Sequence, residues 1–539
     1  MFILRSIAVL HHLIERLGRL VCGERLGIPA AMESLESREQ LVGDLAVTVG
    51  TPTVVFNSLQ QNDLIKIPVT ITNIGDRVVK APFRMIVSLS SDTTVGNDYV
   101  YFQKNFSNNW VPKGRTFTPD LTAPTPYDPV GLASNPALPP GNYHVRVQLF
   151  YTDGSSDGNT NNNNVFTTGT VPVAYNFGGD ERRNQRRTIT IFTSNVQQMK
   201  FEINGPGTGT VTFANGNTSV TLNGTTSASS LWIKPTNKFA TATLSSITVN
   251  GTLQELRAPS IALNGNLTVS GDLRRISLAS ITGSTWTING GQSTSGTIGE
   301  VVNTSLDSDG PIGALTVTSW TTTDSGTDAI LADSIGTLKV NGNFTPTVSL
   351  LEGAKSVSIA GEVNGTWDAG GAVGTFAAAS SADGFSLNSA LSIGTFTLTG
   401  SMGGSISAPT IGSVTINGSM NSAAILAGTD LGSDAAIGGT GTAADIFSAG
   451  SLGSLHVRGA ATNSLIACSL NPIDGQFFNT DDRFASLSSR IGSVRVGGAT
   501  FNTNFAAKEF DRYATITRVK ISTATDARFR SDFALSSGV

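Results

Sequence analysis

The carboxylates of one acidic loop are the residues of this chain best suited to chemistry. Residues 474–482 read DGQFFNTDD, which places Asp474, Asp481 and Asp482 close together around Asn479. Ca²⁺ takes about six to eight oxygen ligands in proteins, and a bound cation offsets the repulsion among neighbouring carboxylates. The loop therefore predicts a Ca²⁺ site made of these three aspartates. A solvated loop is the alternative interpretation of the same residues.

A second set of carboxylates lies earlier in the chain. Asp92 and Asp98 flank the short loop SSDTTVGND, and more Asp and Asn residues follow in the polar stretch 153–161. Asp and Asn are common in turns because their side chains bond to their own backbone. No spacing here fits the loop of an EF-hand. Turn formation is the favoured interpretation, and a Ca²⁺ site at Asp92 and Asp98 is the alternative.

Residues for other catalytic chemistry are scarce. His144 and His456 lie in strand-like segments, where a surface position explains them better than a role as general base. No grouping of Ser, His and Asp supports a nucleophile. NTDD at 479–482 and RVK at 518–520 resemble the NTD and RIK motifs of polygalacturonases. That family places a GHG motif between them, which this chain lacks because no His follows His456. We therefore predict no catalytic residue and no cofactor other than Ca²⁺.

The composition excludes several classes of protein. The chain has 539 residues and a net charge of −4, whereas a nucleic-acid-binding protein would carry a basic face. Charged residues make up 14% of it, against roughly 25% in an average soluble protein. Cys22 and Cys468 stand in very different contexts and make no disulfide framework. No run of about 18 apolar residues occurs, so we predict no membrane-spanning helix. Because the net charge is negative, we also predict no nucleic-acid partner.

A short strand-like phrase returns throughout the second half of the chain. IGSVTING at 411–418 has close variants at 335–342, 393–400, 452–459 and 491–498. Each phrase holds two apolar residues two positions apart, and a glycine that can adopt positive φ follows. An apolar face this small is stable only when each strand stacks on the next, as in a repeat protein.

The spacing of the phrase predicts the length of one coil. Its first inward residue recurs at steps of 20, 19, 29, 23, 19, 19, 20, 18, 41 and 39. We interpret the steps as a coil of roughly 20 residues, with an insertion before Leu315 and two final steps of nearly two coils. Residues 188–539 are therefore predicted to form a parallel β-solenoid (β-helix) of about 12 to 13 coils with terminal caps. The residues counted are Ile247, Leu267, Trp286, Leu315, Leu338, Val357, Phe376, Phe396, Val414, Leu455 and Val494.

Residues 42–178 have the period-two alternation of β-strands. LIKIPVTITNIG at 64–75 and YHVRVQLFY at 143–151 alternate apolar and polar residues and are bounded by turn residues. Several short strands within about 135 residues predict a β-sandwich. The charged segment 179–187, which contains DERRNQRR, is predicted to link this domain to the solenoid.

The predicted sandwich resembles the CARDB family of bacterial adhesion-related domains. The matching stretches are PVTITNIG at 68–75, SLSSDTTVGNDYVY at 88–101, LPPGNYHVRV at 138–147 and the Asn-rich residues 159–164. The resemblance implies an immunoglobulin-like sandwich that serves as a surface binding or spacing module. It does not name a ligand.

Residues 1–41 read as a leader or targeting segment. Apolar residues between Ile3 and Val21 recur every three or four positions, which predicts a partly helical segment. MESLESREQLVG at 32–43 resembles the N-terminal LEPR-like motif of large exported proteins of planctomycete bacteria, with Ser37 in place of the proline. The resemblance implies export to the cell surface or the extracellular space.

Together these features predict a non-catalytic exported or cell-surface protein with an adhesive or structural role. The sandwich would bind a surface protein or a polysaccharide, and the solenoid would act as a spacer. Exposed strand edges at the ends of the solenoid also predict self-association. The alternative is a polysaccharide-active enzyme, a lyase or hydrolase, with its site on a face of the β-helix.

The acidic loop yields the first testable prediction. If Asp474, Asp481 and Asp482 bind Ca²⁺, calorimetric titration will give heat of binding and the melting temperature will rise with Ca²⁺. A triple change to Asn will abolish both effects. Neither heat nor a melting shift in the unaltered protein would rule out the site.

Overall fold

The computed structural model describes the chain between residues 43 and 521, with gaps. The predicted leader and most of the charged linker therefore lie outside the described residues, as does the greater part of the LEPR-like motif. The described residues are 43–57, 62–80, 82–96, 98–107, 110–124, 141–152, 160–173, 175–179, 187–192, 198–214, 217–237, 241–477, 481–510, 514–516 and 519–521.

The predicted all-β fold is confirmed. Strands make up 64% of the structure and helices 2%, and the larger part is a β-solenoid of about 13 turns. The described helices are three short 3₁₀ turns at Thr160–Asn163, Gly432–Asp434 and Gly441–Ala443. Dense Gly, Thr and Asn disfavour longer helices in the solenoid.

The N-terminal domain is built from short antiparallel strands. Its larger sheet has the order β12-β11-β6-β7, two three-stranded sheets have the orders β1-β4-β9 and β10-β3-β2, and β5 pairs with β8. The strands are β1 Leu45–Val49, β2 Thr53–Asn57, β3 Asn62–Lys66, β4 Val69–Asn73, β5 Val79–Lys80, β6 Phe83–Ser90, β7 Tyr99–Phe106, β8 Trp110–Val111, β9 Thr116–Phe117, β10 Thr122–Pro124, β11 Gly141–Tyr151 and β12 Asn164–Val173.

The predicted alternation of this domain corresponds to its core. In β4, Val69 and Ile71 are buried while Thr70 between them is only partly covered. In β11, Val145 and Val147 are fully buried, and β11 lies in register against β6. Opposite faces of a strand differ in burial because successive side chains point to opposite sides of the sheet.

The solenoid is one continuous ladder of strands. It joins β13 to β49 in a single 33-stranded sheet; β37, β38, β42 and β43 form two separate hairpins. The strands are β13 Tyr175–Gly178, β14 Thr188–Phe192, β15 Gln198–Asn204, β16 Thr208–Ala214, β17 Asn217–Thr225, β18 Ser230–Pro235, β19 Ala242–Leu244, β20 Ser246–Gly251, β21 Leu253–Leu263, β22 Leu267–Val269, β23 Leu273–Ile288, β24 Thr294–Ser308, β25 Ile312–Thr321, β26 Ala329–Ala332, β27 Ile335–Val340, β28 Thr347–Leu350, β29 Ala354–Val363, β30 Thr366–Ala369, β31 Val373–Ser381, β32 Ser386–Ser389, β33 Ser392–Leu398, β34 Met402–Ala408, β35 Thr410–Ile416, β36 Met420–Ala427, β37 Thr429–Asp430, β38 Ile446–Phe447, β39 Ser451–Val457, β40 Ala461–Thr462, β41 Leu465–Cys468, β42 Leu470–Asn471, β43 Arg483–Phe484, β44 Arg490–Val496, β45 Thr500–Phe501, β46 Asn504–Ala506, β47 Glu509–Phe510, β48 Ala514–Ile516 and β49 Val519–Ile521.

Each coil in the body of the solenoid contributes to three faces, and within each face successive coils pair in parallel. Face 1 holds the repeated phrase and stacks β25, β27, β29, β31, β33, β35, β39 and β44. Face 2 is short and includes the parallel bridges from Trp320 to Phe344 and from Phe344 to Val363. Face 3 stacks β26, β28, β30, β32, β34, β36, β41 and β46. All the inward residues counted from the sequence are buried.

The 29-residue step before Leu315 is not an insertion, contrary to the prediction. Trp286 lies on face 3, where it pairs with Leu306, whereas Leu315 lies on face 1. Leu315 pairs there with Gly296, and Gly296 pairs with Ile276. The counted series therefore crosses from one face to another. Gly296 concealed the true repeat because it has no side chain to mark an apolar position.

The last two long steps each span one coil and not nearly two, contrary to the prediction. Val414 pairs directly with Leu455, and Leu455 pairs directly with Val494. The extra residues form two insertions, 428–450 and 469–489, and we call the first of these the roof loop. They cover the outer side of face 3 and close a second apolar cluster, which contains Leu426, Leu431, Ala467, Leu470 and Ala506.

The glycines of the phrase are required mainly by the close approach of coils. Eight glycines follow the inward pairs of the repeat, and of these Gly251 has positive φ, at 148°, but the others do not, contrary to the prediction. The eight are Gly251, Gly271, Gly290, Gly342, Gly361, Gly400, Gly418 and Gly459. A Cβ placed on Gly418 would lie 2.5 Å from the carbonyl carbon of Gly400 in the preceding coil. A Cβ on Gly412 would lie 2.4 Å from the carbonyl oxygen of Gly394. No side chain can replace such glycines without moving the neighbouring backbone.

The two ends of the solenoid differ from its body. At the start, β14–β15, β15–β18 and β16–β17 pair antiparallel, and the parallel ladder begins with β17–β20. At the end, β48 and β49 form an antiparallel hairpin. β13 already pairs with β16, so the solenoid sheet begins at Tyr175, before the predicted linker at 179–187.

The glycine contacts give a testable prediction about stability. Gly412→Ala will lower the free energy of unfolding by about 2 kcal/mol, because its new methyl group meets the Gly394 carbonyl. Gly291→Ala is the matched control, because no atom lies within 4 Å of its Cβ position, and it will change stability by less than about 0.5 kcal/mol. Chemical denaturation measures both; equal effects would contradict the close-approach explanation.

Candidate functional site

An exposed patch on the N-terminal domain is formed by two turns that lie side by side and by the adjoining strands β5 and β8. β4 and β9 pair through Thr72 and Thr116, and β5 and β8 pair through Lys80 and Trp110. The buried side chain of Asn73 joins the two turns: its Nδ2 donates to the carbonyls of Arg77, at 2.6 Å, and of Val111, at 2.8 Å. These bonds hold both turns in one arrangement.

The patch combines an exposed indole with positive charge. Trp110 is 65% exposed and Val78 is 45% exposed, values that are high for large apolar side chains. The Lys80 ammonium lies 4.6 Å from the centre of the Trp110 ring, which is a cation–π contact. We call this surface the Trp110 patch; its members are Arg77, Val78, Lys80, Trp110, Lys113 and Arg115, all exposed.

A second candidate site lies on face 3 beneath the roof loop. Asn388 is buried, and its Nδ2 donates to carboxylate oxygens of Asp368, at 3.1 Å, and Asp430, at 2.7 Å. Its Oδ1 accepts from the Ser407 hydroxyl, at 2.8 Å, and from the Leu431 backbone N–H, at 3.0 Å. This single amide therefore fastens the roof loop to face 3 and brings two carboxylates together.

Burial raises the pKa of the Asp368 carboxyl above its ordinary value of 3.8, and the nearby carboxylates of Asp430 and Asp434 raise it further, while the hydrogen bond from Asn388 lowers it. Burial likewise raises the pKa of Asp445, whose Oδ2 accepts from the Gly438 backbone within the roof loop. Partial burial at the roof loop thus shifts the pKa of both carboxyl groups upward.

A cavity of about 370 Å³ lies beside this network, between the roof loop and face 3. Ser386, Ser405 and Asp383 line it from the solenoid, and Leu431 and Ile437 line it from the roof loop. The Ser386 hydroxyl donates to the Ala435 carbonyl at 2.7 Å, which is a further link between the loop and the face. The cavity is small, and its walls carry both hydroxyl and apolar groups.

Of the predicted Ca²⁺ ligands, Asp474 makes a local turn. Asp474 accepts from the backbone N–H of Gln476 at 2.8 Å, which is a turn of the Asp type. Within the described ranges, no three His, Cys, Asp or Glu side chains form a group that could hold a metal ion. Asn479 lies outside those ranges, so the site at Asp474, Asp481 and Asp482 stays a prediction.

The other predicted pair is divided between two environments. Asp92 is exposed and accepts from the backbone N–H of Thr94 at 2.7 Å. Asp98 instead forms a buried ion pair with Arg146, whose side chain is 7% exposed. Arg146 also donates to Asn164 at 2.6 Å. Asp92 therefore makes the turn that the sequence favoured, while Asp98 fastens β7 to β11 and β12.

The remaining reactive side chains have structural surroundings. Nδ1 of His144 lies 2.8 Å from the Thr167 carbonyl, between two strands of the N-terminal domain. Burial and the neighbouring Arg495 and Arg458 lower the pKa of His456, which lies on the outer side of face 1. Burial raises the pKa of the Cys468 thiol to about 12, so this thiol is unreactive at neutral pH.

Sequence reasoning missed both candidate surfaces for different reasons. The turn at Asn73 was predicted, but nothing in the sequence shows that it lies beside Trp110. Asp368 and Asp430 are 62 positions apart, and they meet because Asp368 and Asn388 occupy consecutive coils of one column. That column could have been found by aligning face 3 separately from face 1.

The raised pKa of Asp368 predicts how the roof loop responds to pH. A carboxyl whose folded pKa is raised stabilises the fold while protonated, so this contribution is lost as pH rises through the folded pKa. After correction for the intrinsic pH dependence of amide exchange, the protection of backbone amides within 428–450 will therefore fall as the pH rises above the ordinary carboxyl range. Asp368→Asn will weaken this dependence, and Asp445 will account for what remains. Asp307→Asn is the control, because Asp307 is exposed on the same column of face 3; equal effects of both changes would refute the explanation.

Comparison with known proteins gives no functional assignment, so the proposals below are based on the geometry of the candidate sites. Among the described residues, no helix has both the length and the hydropathy needed to cross a membrane. No protein-family model matches the chain, and no curated protein is significantly similar to it. The CARDB-like and LEPR-like resemblances therefore remain expectations drawn from the residues that carry them.

Proposed function

We propose that this protein is an exported, non-catalytic cell-surface protein in which the sandwich binds a partner and the solenoid acts as a spacer. The observation that carries this proposal is the Trp110 patch. A tryptophan side chain that is 65% exposed, beside an exposed valine and a lysine, is typical of a surface that another molecule covers.

The solenoid suits the role of spacer because of its regular ladder. About 13 turns, at a strand separation of about 4.8 Å, correspond to a stack about 60 Å long. Each coil is hydrogen-bonded to the next and shares the apolar column with it, so the stack resists bending more than a flexible linker would.

The partner is a surface protein or a polysaccharide. Ca²⁺ at Asp474, Asp481 and Asp482 and self-association through the ends of the ladder belong to the same proposal. Export to the cell surface rests on the LEPR-like residues 32–43, and the immunoglobulin-like, CARDB-like identity of the sandwich rests on the resemblance of its strands. The antiparallel sheets of the domain are compatible with that identity.

One observation favours the alternative of a polysaccharide-active enzyme. Asp368 and Asp430 each accept from Nδ2 of Asn388, so their oxygens lie within about 6 Å of each other, as in carboxylate pairs of glycoside hydrolases. The raised pKa of Asp368 would suit a general acid. The same bonds also serve to fasten the roof loop, which requires no catalysis.

Retention and turnover can be measured in one experiment. The full chain is passed over immobilised neutral and acidic polysaccharides and surface-protein preparations, and the eluate is assayed for released sugar. We expect retention without product, and Trp110→Ala will weaken it about tenfold or more. Phe501→Ala, which removes another exposed aromatic ring, is the control.

Two outcomes would contradict the proposal. If Trp110→Ala leaves retention unchanged, the Trp110 patch of the sandwich does not bind the partner. Product that disappears in Asp368→Asn and Asp430→Asn, or in Asp481→Asn with Asp482→Asn, would establish the enzyme instead.

A further inference from the structure

The Trp110 patch has a local charge opposite to that of the whole chain. It carries four cationic side chains, Arg77, Lys80, Lys113 and Arg115, and an ion pair with Asp76 neutralises that of Lys113. Three positive charges remain within the patch, whereas the chain as a whole has a net charge of −4. The carboxylate of nearby Asp44 accepts a hydrogen bond from the side-chain amide of Asn162 at 2.7 Å.

The patch also presents a flat apolar surface among these charges. The Trp110 ring is largely exposed even though Lys80 lies against it. An indole of this kind packs well against a partner with one apolar and one polar side. The C–H face of a sugar ring is apolar while its substituents are polar, so a charged sugar can contact the indole and the cations together.

The geometry of the two turns is fixed before any ligand binds. Asn73 bonds both turns through its side chain, the Gly114 backbone N–H donates to the Asn73 carbonyl at 2.8 Å, and the Asn73 N–H donates to the Arg115 carbonyl at 3.1 Å. A preorganised surface loses little conformational entropy on binding. Cations held on two turns suit an extended ligand with repeated negative charges.

We propose that the Trp110 patch binds an anionic polysaccharide, one with carboxylate or sulfate groups along its chain. The sugar ring packs against Trp110, and the acidic groups pair with Lys80, Arg115 and Arg77. This inference rests on the proposed function, since it names the class of partner that the sandwich binds.

The solenoid provides a contrast that helps to test the idea. Between Lys355 and Arg458 the chain contains no Lys or Arg, but it contains six carboxylates. These coils repel a polyanion at neutral pH. An anionic polysaccharide is therefore not expected to bind these coils. The six carboxylates are Glu362, Asp368, Asp383, Asp430, Asp434 and Asp445.

The test measures the affinity of the full chain for polygalacturonate and for a sulfated polysaccharide, with neutral dextran as the comparison. We expect both polyanions to bind and dextran to bind at least about tenfold more weakly, with the difference shrinking as salt is raised. Lys80→Gln with Arg115→Gln will lower polyanion affinity about tenfold, and Trp110→Ala will do the same.

Matched variants separate the patch from general charge. Lys339→Gln with Lys355→Gln removes two exposed lysines from the solenoid and will leave the affinity unchanged, as will Phe501→Ala. An unchanged melting temperature will confirm that each variant is folded. An equal loss in the solenoid variant would overturn the proposal.

The remaining outcomes distinguish this inference from the proposed function. If dextran binds as tightly as the polyanions and Trp110→Ala weakens both, the sandwich is a binding module but the anionic class is wrong. If anionic vesicles bind and polysaccharides do not, the patch recognises a membrane surface and the inference is likewise wrong. If neither polysaccharides, vesicles nor surface proteins are retained, both proposals fail.

Discussion

The stability of the solenoid depends on backbone hydrogen bonding between successive coils. A typical strand of the solenoid, such as β27, β33 or β35, has three inward residues, which is too small an apolar face to be stable alone. Stacking places Phe376 on Phe396 and Phe396 on Val414, and it satisfies the N–H and C=O groups of both neighbours at the same time. Hydrophobic burial and hydrogen bonding are therefore gained together, one coil at a time, and both are lost at an uncovered end.

That constraint explains features that would otherwise look unrelated. Coils one strand apart leave no room for a side chain where backbones cross, so Gly412 faces Gly394 directly. Inside the coils, large rings contact one another edge-on or tilted: Trp320, Phe344 and Trp367 form a series with ring centres 6.2 and 5.3 Å apart. The antiparallel hairpins at the two ends of the ladder replace the neighbour that a terminal coil lacks.

The sequence predicted the local features well because they depend on local periods. The alternation of Val69 and Ile71, and the inward pair Val414 and Ile416, follow from a period of two. The assignment of residues to faces could not be read in the same way. Gly296 pairs with the inward residue Leu315, but it has no apolar side chain that would mark its position. The roof loop was beyond reach because its position depends on Asn388, a residue that looks like any other polar strand residue until the coils are stacked.

One column of face 3 shows how a repetitive scaffold acquires distinct surfaces. Asp307, Leu331, Ser349, Asp368, Asn388 and Ser407 occupy equivalent outward positions in successive coils. Asp307 is exposed, while Asn388 is buried because an insertion covers it. The backbone at each position is the same, so the difference comes from what lies above it. Insertions at coil corners can therefore create sites without disturbing the ladder. In the N-terminal domain, two turns joined by Asn73 and the strand ends beside them carry the Trp110 patch.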